Sequence, residues 1–156
     1  MITAGVDVGA ITAKAAVFGD GELLATAVIL AGYDRAAAAR QVLDQVLAQA
    51  GLARERVARL VATGYGRVQV PGSDRTVTEI TCHAQGAHYL CPDARTVIDI
   101  GGQDSKGIAV GTGGKVLDFV MNDKCAAGTG RFLEVMARAL EVDLDQFGAL
   151  SMEARQ

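Results

Sequence analysis

Two stretches of the sequence combine the residue types that hold phosphate groups and divalent cations. Each has an Asp, a Gly two residues later and a Lys seven residues after the Asp; the residues are Asp7, Gly9 and Lys14, and Asp99, Gly101 and Lys106. A carboxylate can hold a hydrated Mg²⁺ ion that also binds phosphates, and Gly lets backbone N–H groups approach phosphate oxygens without an intervening Cβ. Because Asp and Gly are common in ordinary hairpin turns, one such turn alone would favour that simpler interpretation. The repeated spacing predicts two phosphate-binding turns that would clamp a polyphosphate from both sides.

The two turns occupy the same place in a longer repeated pattern. Residues 5–29 and 97–121 each read as a strand ending at the Asp-x-Gly turn, a second short strand, a Gly-rich turn and a third strand. Self-similarity of this kind indicates a structural duplication. We therefore expect the same unit of three strands to be present twice.

The remaining segments alternate between helical and strand patterns. Asp34 is placed to cap a helix that runs to about residue 50, where Gly51 ends it, and residues 59–63 read as a further strand. Further helices are predicted from Thr78 or Thr81 to about residue 90, over about 131–140 and from Asp143 onward. This alternation is typical of an α/β fold.

Composition excludes several classes of protein. The chain has 156 residues, of which 50% are hydrophobic and 21% charged, so it can bury a core and is not a disordered tail. A net charge of -3 argues against a basic nucleic-acid-binding protein. The N-terminus does not read as a signal peptide, and the apolar stretches are too short to span a membrane. Three Cys do not suit a disulfide framework. We expect a cytoplasmic protein without a nucleic-acid or membrane partner.

Four motifs together resemble a known family. They are Gly5-Val6-Asp7-Val8-Gly9, Ala62-Thr63-Gly64-Tyr65-Gly66-Arg67, Val97-Ile98-Asp99-Ile100-Gly101-Gly102-Gln103-Asp104 and Met121-Asn122-Asp123-Lys124-Cys125-Ala126-Ala127-Gly128-Thr129-Gly130-Arg131-Phe132. The chain is similar, over nearly its whole length, to the activators of 2-hydroxyacyl-CoA dehydratases and the related ATPase subunits of benzoyl-CoA reductases, the BadF/BadG/BcrA/BcrD group. The resemblance implies an actin/Hsp70/sugar-kinase-like (ribonuclease H-like) α/β ATPase fold. Residues 1–95 would form its first subdomain and residues 96–156 the truncated start of its second.

The resemblance also implies the function and the site residues. Members are homodimers that use ATP and Mg²⁺ to deliver a low-potential electron, through one [4Fe-4S] cluster, to an acyl-CoA dehydratase or reductase; ferredoxin or flavodoxin would supply the electron. The catalytic candidates are Asp7, Asp99, Gln103 and Asp104. The nucleotide-binding candidates are Gly9, Ala10, Ile11, Thr12, Ala13, Lys14, Gly101 and Gly102.

Cys125 falls on a cluster-ligand position of the family. It lies beside Lys124 and ahead of a predicted helix, an environment that favours the thiolate, which is the form that binds iron. Without the family motif, a small loop residue would be the simpler interpretation. The spacing of Cys82 and Cys91 does not fit a zinc site, and buried or capping roles are expected for Cys82, Cys91, His83 and His88.

Two departures from the family pattern affect the expected function. Ala10 and Ala13 stand where the family commonly has hydroxyl residues, so only Thr12 remains to bond phosphate from this turn. Each lost hydrogen bond is worth about 1 kcal/mol, which predicts weaker ATP binding. The second cluster cysteine and the Gly-Gly adenosine motif of the family's C-terminal part are not in this sequence, so we expect an N-terminal portion: a fragment or half of a split protein.

Alternatives remain open at the level of sequence. A metabolite kinase-like phosphotransferase of the same superfold would keep both phosphate turns and need no cluster. A non-catalytic remnant would account for Ala10, Ala13 and the short length. Tyr65 and Arg67 could contact a nucleotide or a partner, or could form a structural loop.

Overall fold

The chain forms two compact units. The computed structural model describes residues 1–125 and 127–154; the first unit is Met1–Gly86, and the second begins at Ala87. The subdomain boundary after residue 95 stays a prediction. Among the described residues, no helix is both long and apolar enough to cross a membrane.

The first unit is built on a five-stranded sheet with the strand order β3-β2-β1-β4-β5. Strands β1 (Ile2–Val8), β2 (Thr12–Gly19) and β3 (Glu22–Leu30) form an antiparallel meander. Strand β4 (Val57–Thr63) lies parallel to β1, and the two-residue β5 (Arg75–Thr76) lies parallel to β4. The parallel pairing brings the end of β4 beside the end of β1.

Helix α1 (Arg35–Gln49) covers one face of this sheet. Asp34 caps it by accepting a hydrogen bond from the Ala37 N–H at 2.9 Å, and Gly51 follows the helix with φ +65°, as expected. The buried helix residues are Ala38, Ala39, Val42, Leu43, Val46 and Leu47. They pack against alternate strand residues that are mainly Val and Ala. The small side chains let the helix and the sheet approach closely, which explains how a core with few aromatic residues is filled.

Helix α2 (Glu79–Leu90) starts after Thr78, whose hydroxyl accepts a hydrogen bond from the Thr81 N–H at 3.4 Å. The predicted start at Thr78 or Thr81 is therefore confirmed, with Thr78 as the capping residue. The helix ends at residue 90, as the sequence predicted.

The second unit contains a three-stranded antiparallel sheet. Its strands β6 (Thr96–Ile100), β7 (Ser105–Val110) and β8 (Val116–Asn122) follow one another in space as in sequence. Helices α3 (Gly130–Ala139) and α4 (Phe147–Glu153) come after them. The strand predicted over residues 59–63 lies within β4, and the three strands predicted for each repeated unit are present, whereas β5 was not predicted because two residues carry no periodicity.

Candidate functional site

The first turn places a lysine directly opposite an aspartate. Asp7 and Lys14 are cross-strand neighbours on β1 and β2, and Lys14 Nζ lies 3.0 Å from Asp7 Oδ2. The two side chains are 43% (Lys14) and 22% (Asp7) exposed. The ammonium is therefore paired, yet it keeps enough open surface to meet an anionic ligand.

The loop between these strands is closed by its own backbone. The Gly9 N–H donates to the Thr12 carbonyl oxygen at 2.9 Å, and a Cβ on Gly9 would lie 3.1 Å from that oxygen and 3.3 Å from Lys14 Nζ. Ala10 and Ile11 form the tip. Ala13, in contrast, is fully buried in the core under α1. Of the predicted nucleotide-binding residues, Ala13 therefore has its side chain on the opposite face of the strand from Lys14.

A third strand completes this site from the other side. Thr63, at the end of β4, is the register partner of Asp7, so Lys14, Asp7 and Thr63 form one row across three adjacent strands. The Thr63 hydroxyl is buried and has no hydrogen-bond partner within the described part of the chain. Buried polar atoms are usually satisfied, so this hydroxyl marks a position where a ligand or water can bond.

The turn after β4 packs against the end of β1. Gly64 has φ +84°, and a Cβ there would lie 2.2 Å from Asp7 Oδ1 and 2.6 Å from the Val8 carbonyl oxygen. The Gly66 N–H donates to that same oxygen at 2.8 Å. The sequence contains this motif, but nothing in it indicates that the missing side chain of Gly64 leaves the space that the Asp7 carboxylate occupies.

Arg67 stabilises the same turn. Its Nη1 donates to the Gly64 carbonyl oxygen at 3.0 Å and to Glu79 Oε2 at 3.3 Å. Of the two roles left open for Arg67, the structure supports the structural one. Tyr65 is 47% exposed and leaves a contact surface at the tip of the turn.

The second turn repeats the backbone of the first. Asp99 and Lys106 are register partners, and the Gly101 N–H donates to the Asp104 carbonyl oxygen at 2.8 Å, as the Gly9 N–H does to Thr12. The two hydrogen bonds have the same spacing from the preceding aspartate. The duplication inferred from the sequence is therefore present in the structure.

The side chains of the second turn differ from those of the first. Lys106 Nζ lies 2.7 Å from Asp104 Oδ2 and 3.5 Å from Asp99 Oδ2. Lys106 and Asp104 are only 3% and 6% exposed, whereas Asp99 is 23% exposed. Lys106 thus forms a buried ion pair with Asp104, and Asp99 keeps the more open carboxylate.

The tip of the second turn is joined to helix α3. The Gly130 N–H, at the start of α3, donates to the Gly101 carbonyl oxygen at 2.8 Å. A Cβ on Gly101 would lie 2.6 Å from Asp104 Oδ1, so a larger residue there would displace the Asp104 carboxylate. Gly102 is partly exposed and Gln103 is exposed at the tip, where the Gln103 amide is open to a ligand.

Cys125 lies on an exposed loop that Asn122 shapes. The Asn122 side chain accepts a hydrogen bond from the Cys125 N–H at 3.3 Å and donates to the carbonyl oxygens of Cys125 and Ala127, both at 3.1 Å. Helix α3 starts five residues after Cys125. The role of Cys125 as a cluster ligand stays a prediction. Ala126, part of the same motif, lies outside the described residues.

The other candidate metal ligands are not brought together. Cys82, His83 and His88 are half-buried, whereas Cys91 is exposed and its N–H donates to the Ala87 carbonyl oxygen at 2.8 Å at the end of α2. Of the two roles expected for Cys91, buried or capping, the structure contradicts only the buried one. Across residues 1–125 and 127–154, no group of three His, Cys, Asp or Glu side chains could hold a metal ion.

The fold and sequence match known activators of acyl-CoA dehydratases. The activator of lactoyl-CoA dehydratase from Anaerotignum propionicum is 46% identical over 154 residues, which are 99% of this chain and 60% of that protein. The structure of the activator of 2-hydroxyisocaproyl-CoA dehydratase from Clostridium difficile with bound ADPNP superimposes with a TM-score of 0.87 at 41% identity, covering 100% of this chain and 58% of that one. The chain therefore spans about three fifths of the length of these relatives.

A more distant match concerns the fold alone. The ROK hexokinase from Thermus thermophilus is 18% identical with a TM-score of 0.54, over 91% of this chain and 65% of the hexokinase. The predicted actin- and sugar-kinase-like α/β ATPase fold is thereby confirmed. The model of the BadF/BadG/BcrA/BcrD ATPase family matches residues 4–156. The chain belongs to the BadF/BadG/BcrA/BcrD ATPase family.

Proposed function

We propose that this chain binds Mg-ATP as part of an ATP-dependent activator of an acyl-CoA dehydratase or reductase. The observation that carries the proposal is the row of Lys14, Asp7 and Thr63 across three strands, with the Thr63 hydroxyl buried and unpaired in the described structure. The row offers an ammonium, a carboxylate and a hydroxyl to one ligand. A phosphate group with its magnesium ion carries the complementary charges.

Each residue of the first turn has a definable task in this proposal. Lys14 and the free backbone N–H groups at the tip would bind phosphate oxygens. Asp7, whose carboxylate occupies the space that the missing Gly64 side chain leaves, would orient a hydrated Mg²⁺ ion. Thr63 would bond a phosphate oxygen or a water of the magnesium shell.

The second turn would contribute through its open groups. Asp99 is the less buried of the two carboxylates and Gln103 has an exposed amide, and we assign both to the binding of Mg-ATP. Asp104 was predicted as a catalytic residue. Because it is buried against Lys106, we propose that it positions that lysine instead of contacting the nucleotide.

Electron delivery is the second part of the proposal. A bound [4Fe-4S] cluster would accept and release one electron at a time. Cys125 fits a ligand role in part, since its thiol is exposed on a loop held by Asn122. An all-cysteine [4Fe-4S] cluster needs four thiolates. We assign Cys125 as one of these ligands, and we assign neither Cys82 nor Cys91 to the cluster. We further propose a cytoplasmic homodimer that receives its electron from ferredoxin or flavodoxin.

Calorimetric titration with Mg-ATP tests the nucleotide site. Replacing Thr63→Val removes only the unpaired hydroxyl, so we expect binding about fivefold weaker, the loss of one hydrogen bond of about 1 kcal/mol. Thr26→Val is the matched control, because Thr26 is an exposed threonine on β3. No saturable binding by the unchanged chain, or equal affinities of the two variants, would contradict the proposal.

Anaerobic iron–sulfur reconstitution tests the role of Cys125. We expect Cys125→Ser to lower the bound iron and the electron paramagnetic resonance signal. Cys91→Ser should leave both unchanged, since Cys91 is also exposed but lies just after α2. A full cluster signal in Cys125→Ser would exclude Cys125 as a ligand.

A further inference from the structure

A cavity lies in the first unit, on the α1 side of the sheet. It has a volume of about 340 Å³ and is formed by one side of α1, the turn before β4 and the loop after β4. The row of Lys14, Asp7 and Thr63 belongs to the opposite face of the same sheet. The cavity is therefore separate from the proposed nucleotide site.

Arg54 is the residue that gives this cavity its chemistry. It lines the wall, and its Nη1 is buried without a hydrogen-bond partner in the described part of the chain. The guanidinium lies beside Gly72, where a Cβ would stand 3.5 Å from Arg54 Nη2. A guanidinium has five N–H donors and no acceptor. A buried charged donor without an acceptor is costly, so an incoming acceptor at this wall would be stabilised.

The other charges of the cavity leave it positive. Arg40, one turn before Asp44 on α1, also lines the wall, and Asp44 is the one acidic residue that does so. Within the described residues, neither Arg40 nor Arg54 forms an ion pair with a protein carboxylate. Two guanidinium groups against one carboxylate give a formal charge of +1.

The rest of the lining is apolar. Leu43 and Val70 belong to the hydrophobic core and border the cavity. A purely inorganic anion would leave this apolar surface in contact with water, whereas an anion with a short hydrocarbon portion would cover it. The lining thus favours an amphipathic ligand.

We propose that this cavity binds a small organic oxyanion, with its charged head on Arg54 and Arg40 and its apolar portion on Leu43 and Val70. The planar fork of a guanidinium matches two oxygens of a carboxylate or a phosphate. The site is independent of ATP, because none of its residues belongs to either phosphate-binding turn.

Correlation NMR on the 156-residue chain tests this site, with hexanoate and inorganic phosphate as the two probes. We expect saturable shifts of the Leu43 and Gly72 amide signals, with hexanoate binding more tightly than phosphate. Arg54→Gln should weaken hexanoate binding about tenfold, the usual effect of losing a charge-assisted pair. Arg56→Gln is the control, because Arg56 is exposed in the same turn but does not line the cavity.

Two surface variants keep the test decisive if Arg54→Gln does not fold. Arg40→Gln should weaken hexanoate binding, and Asp44→Asn should strengthen it, because the two residues are exposed and carry opposite charges. Tighter binding of phosphate than of hexanoate would refute the apolar part of the proposal. No saturable shift with either probe, or equal affinities of the arginine variants and the control, would refute the site itself.

Discussion

Replacing Gly64→Ala should damage both the fold and the nucleotide site. A Cβ at this position would lie 2.2 Å from Asp7 Oδ1, 2.6 Å from the Val8 carbonyl oxygen and 2.8 Å from the Val8 carbonyl carbon. Observed Cβ contacts essentially never fall under 3.0 Å. The carboxylate would have to retreat by at least 0.8 Å, which is the difference between 3.0 and 2.2 Å. The Val8 backbone lies within β1 and has no comparable freedom.

The cost has two parts that a control variant separates. A left-handed backbone costs an alanine about 1–2 kcal/mol, and the overpacking against Asp7 and Val8 adds about 1–3 kcal/mol. Gly21 has φ +91° but nothing within 4 Å of its Cβ position. Gly21→Ala therefore carries only the backbone cost. We expect Gly64→Ala to lower the free energy of unfolding by about 1–3 kcal/mol more than Gly21→Ala does.

Urea unfolding of both variants measures this difference, and Mg-ATP calorimetry adds a functional readout. Gly64→Ala should weaken Mg-ATP binding because it displaces Asp7, whereas Gly21→Ala should not. Equal unfolding free energies for the two variants, together with unchanged Mg-ATP binding, would refute the view that the Asp7 carboxylate needs the space left by Gly64.

Two further predictions concern charged pairs. Lys106→Met removes a partner of the buried Asp104 carboxylate and should lower the free energy of unfolding by about 3–5 kcal/mol. Lys14→Met acts on a half-exposed pair and should lower it by about 1 kcal/mol or less. Equal losses of the two variants in urea unfolding would contradict the effect of burial. A hydrogen bond from the N-terminal ammonium, aided by its charge, holds the pKa of Asp20 below its ordinary value, so N-terminal acetylation should raise that pKa in an NMR titration. Because the pKa of Asp20 is lowered in the folded state, its pair with the ammonium stabilises the fold at pH values above the pKa of Asp20 in the unfolded chain. This stabilisation is lost as the pH falls through the pKa of the folded state. A titration of Asp20 that acetylation leaves unchanged would exclude the ammonium as the cause.

The elements of the fold could be predicted because their signals are local. Asp34 precedes α1 and Gly51 follows it, and both lie within a few residues of the apolar side chains of that helix. The pairing of Asp7 with Lys14 follows from a short turn between two adjacent strands. In each case the interacting residues are close in sequence, so the pattern itself carries the geometry.

The parts that could not be predicted depend on contacts between distant segments. Gly64 meets Asp7 only because β4 lies parallel to β1, and no local pattern encodes that pairing. Likewise, Lys14 and Lys106 occupy equivalent positions in sequence, but their different burial depends on what packs around each turn. The exposure of Cys91 is a similar case, since helix periodicity does not determine the burial of a residue beyond the helix end.

The duplicated turn has one backbone but two electrostatic characters. At the fifth position after the aspartate, the first turn has a neutral Thr12 and the second an anionic Asp104. With their lysines included, the first turn therefore sums to zero, whereas the second, which also holds Asp99, sums to -1. A polyanion meets net repulsion only at the second turn, where a divalent cation would remove it. The two halves of the repeat should thus respond differently to magnesium, which nucleotide titrations with and without the cation would reveal.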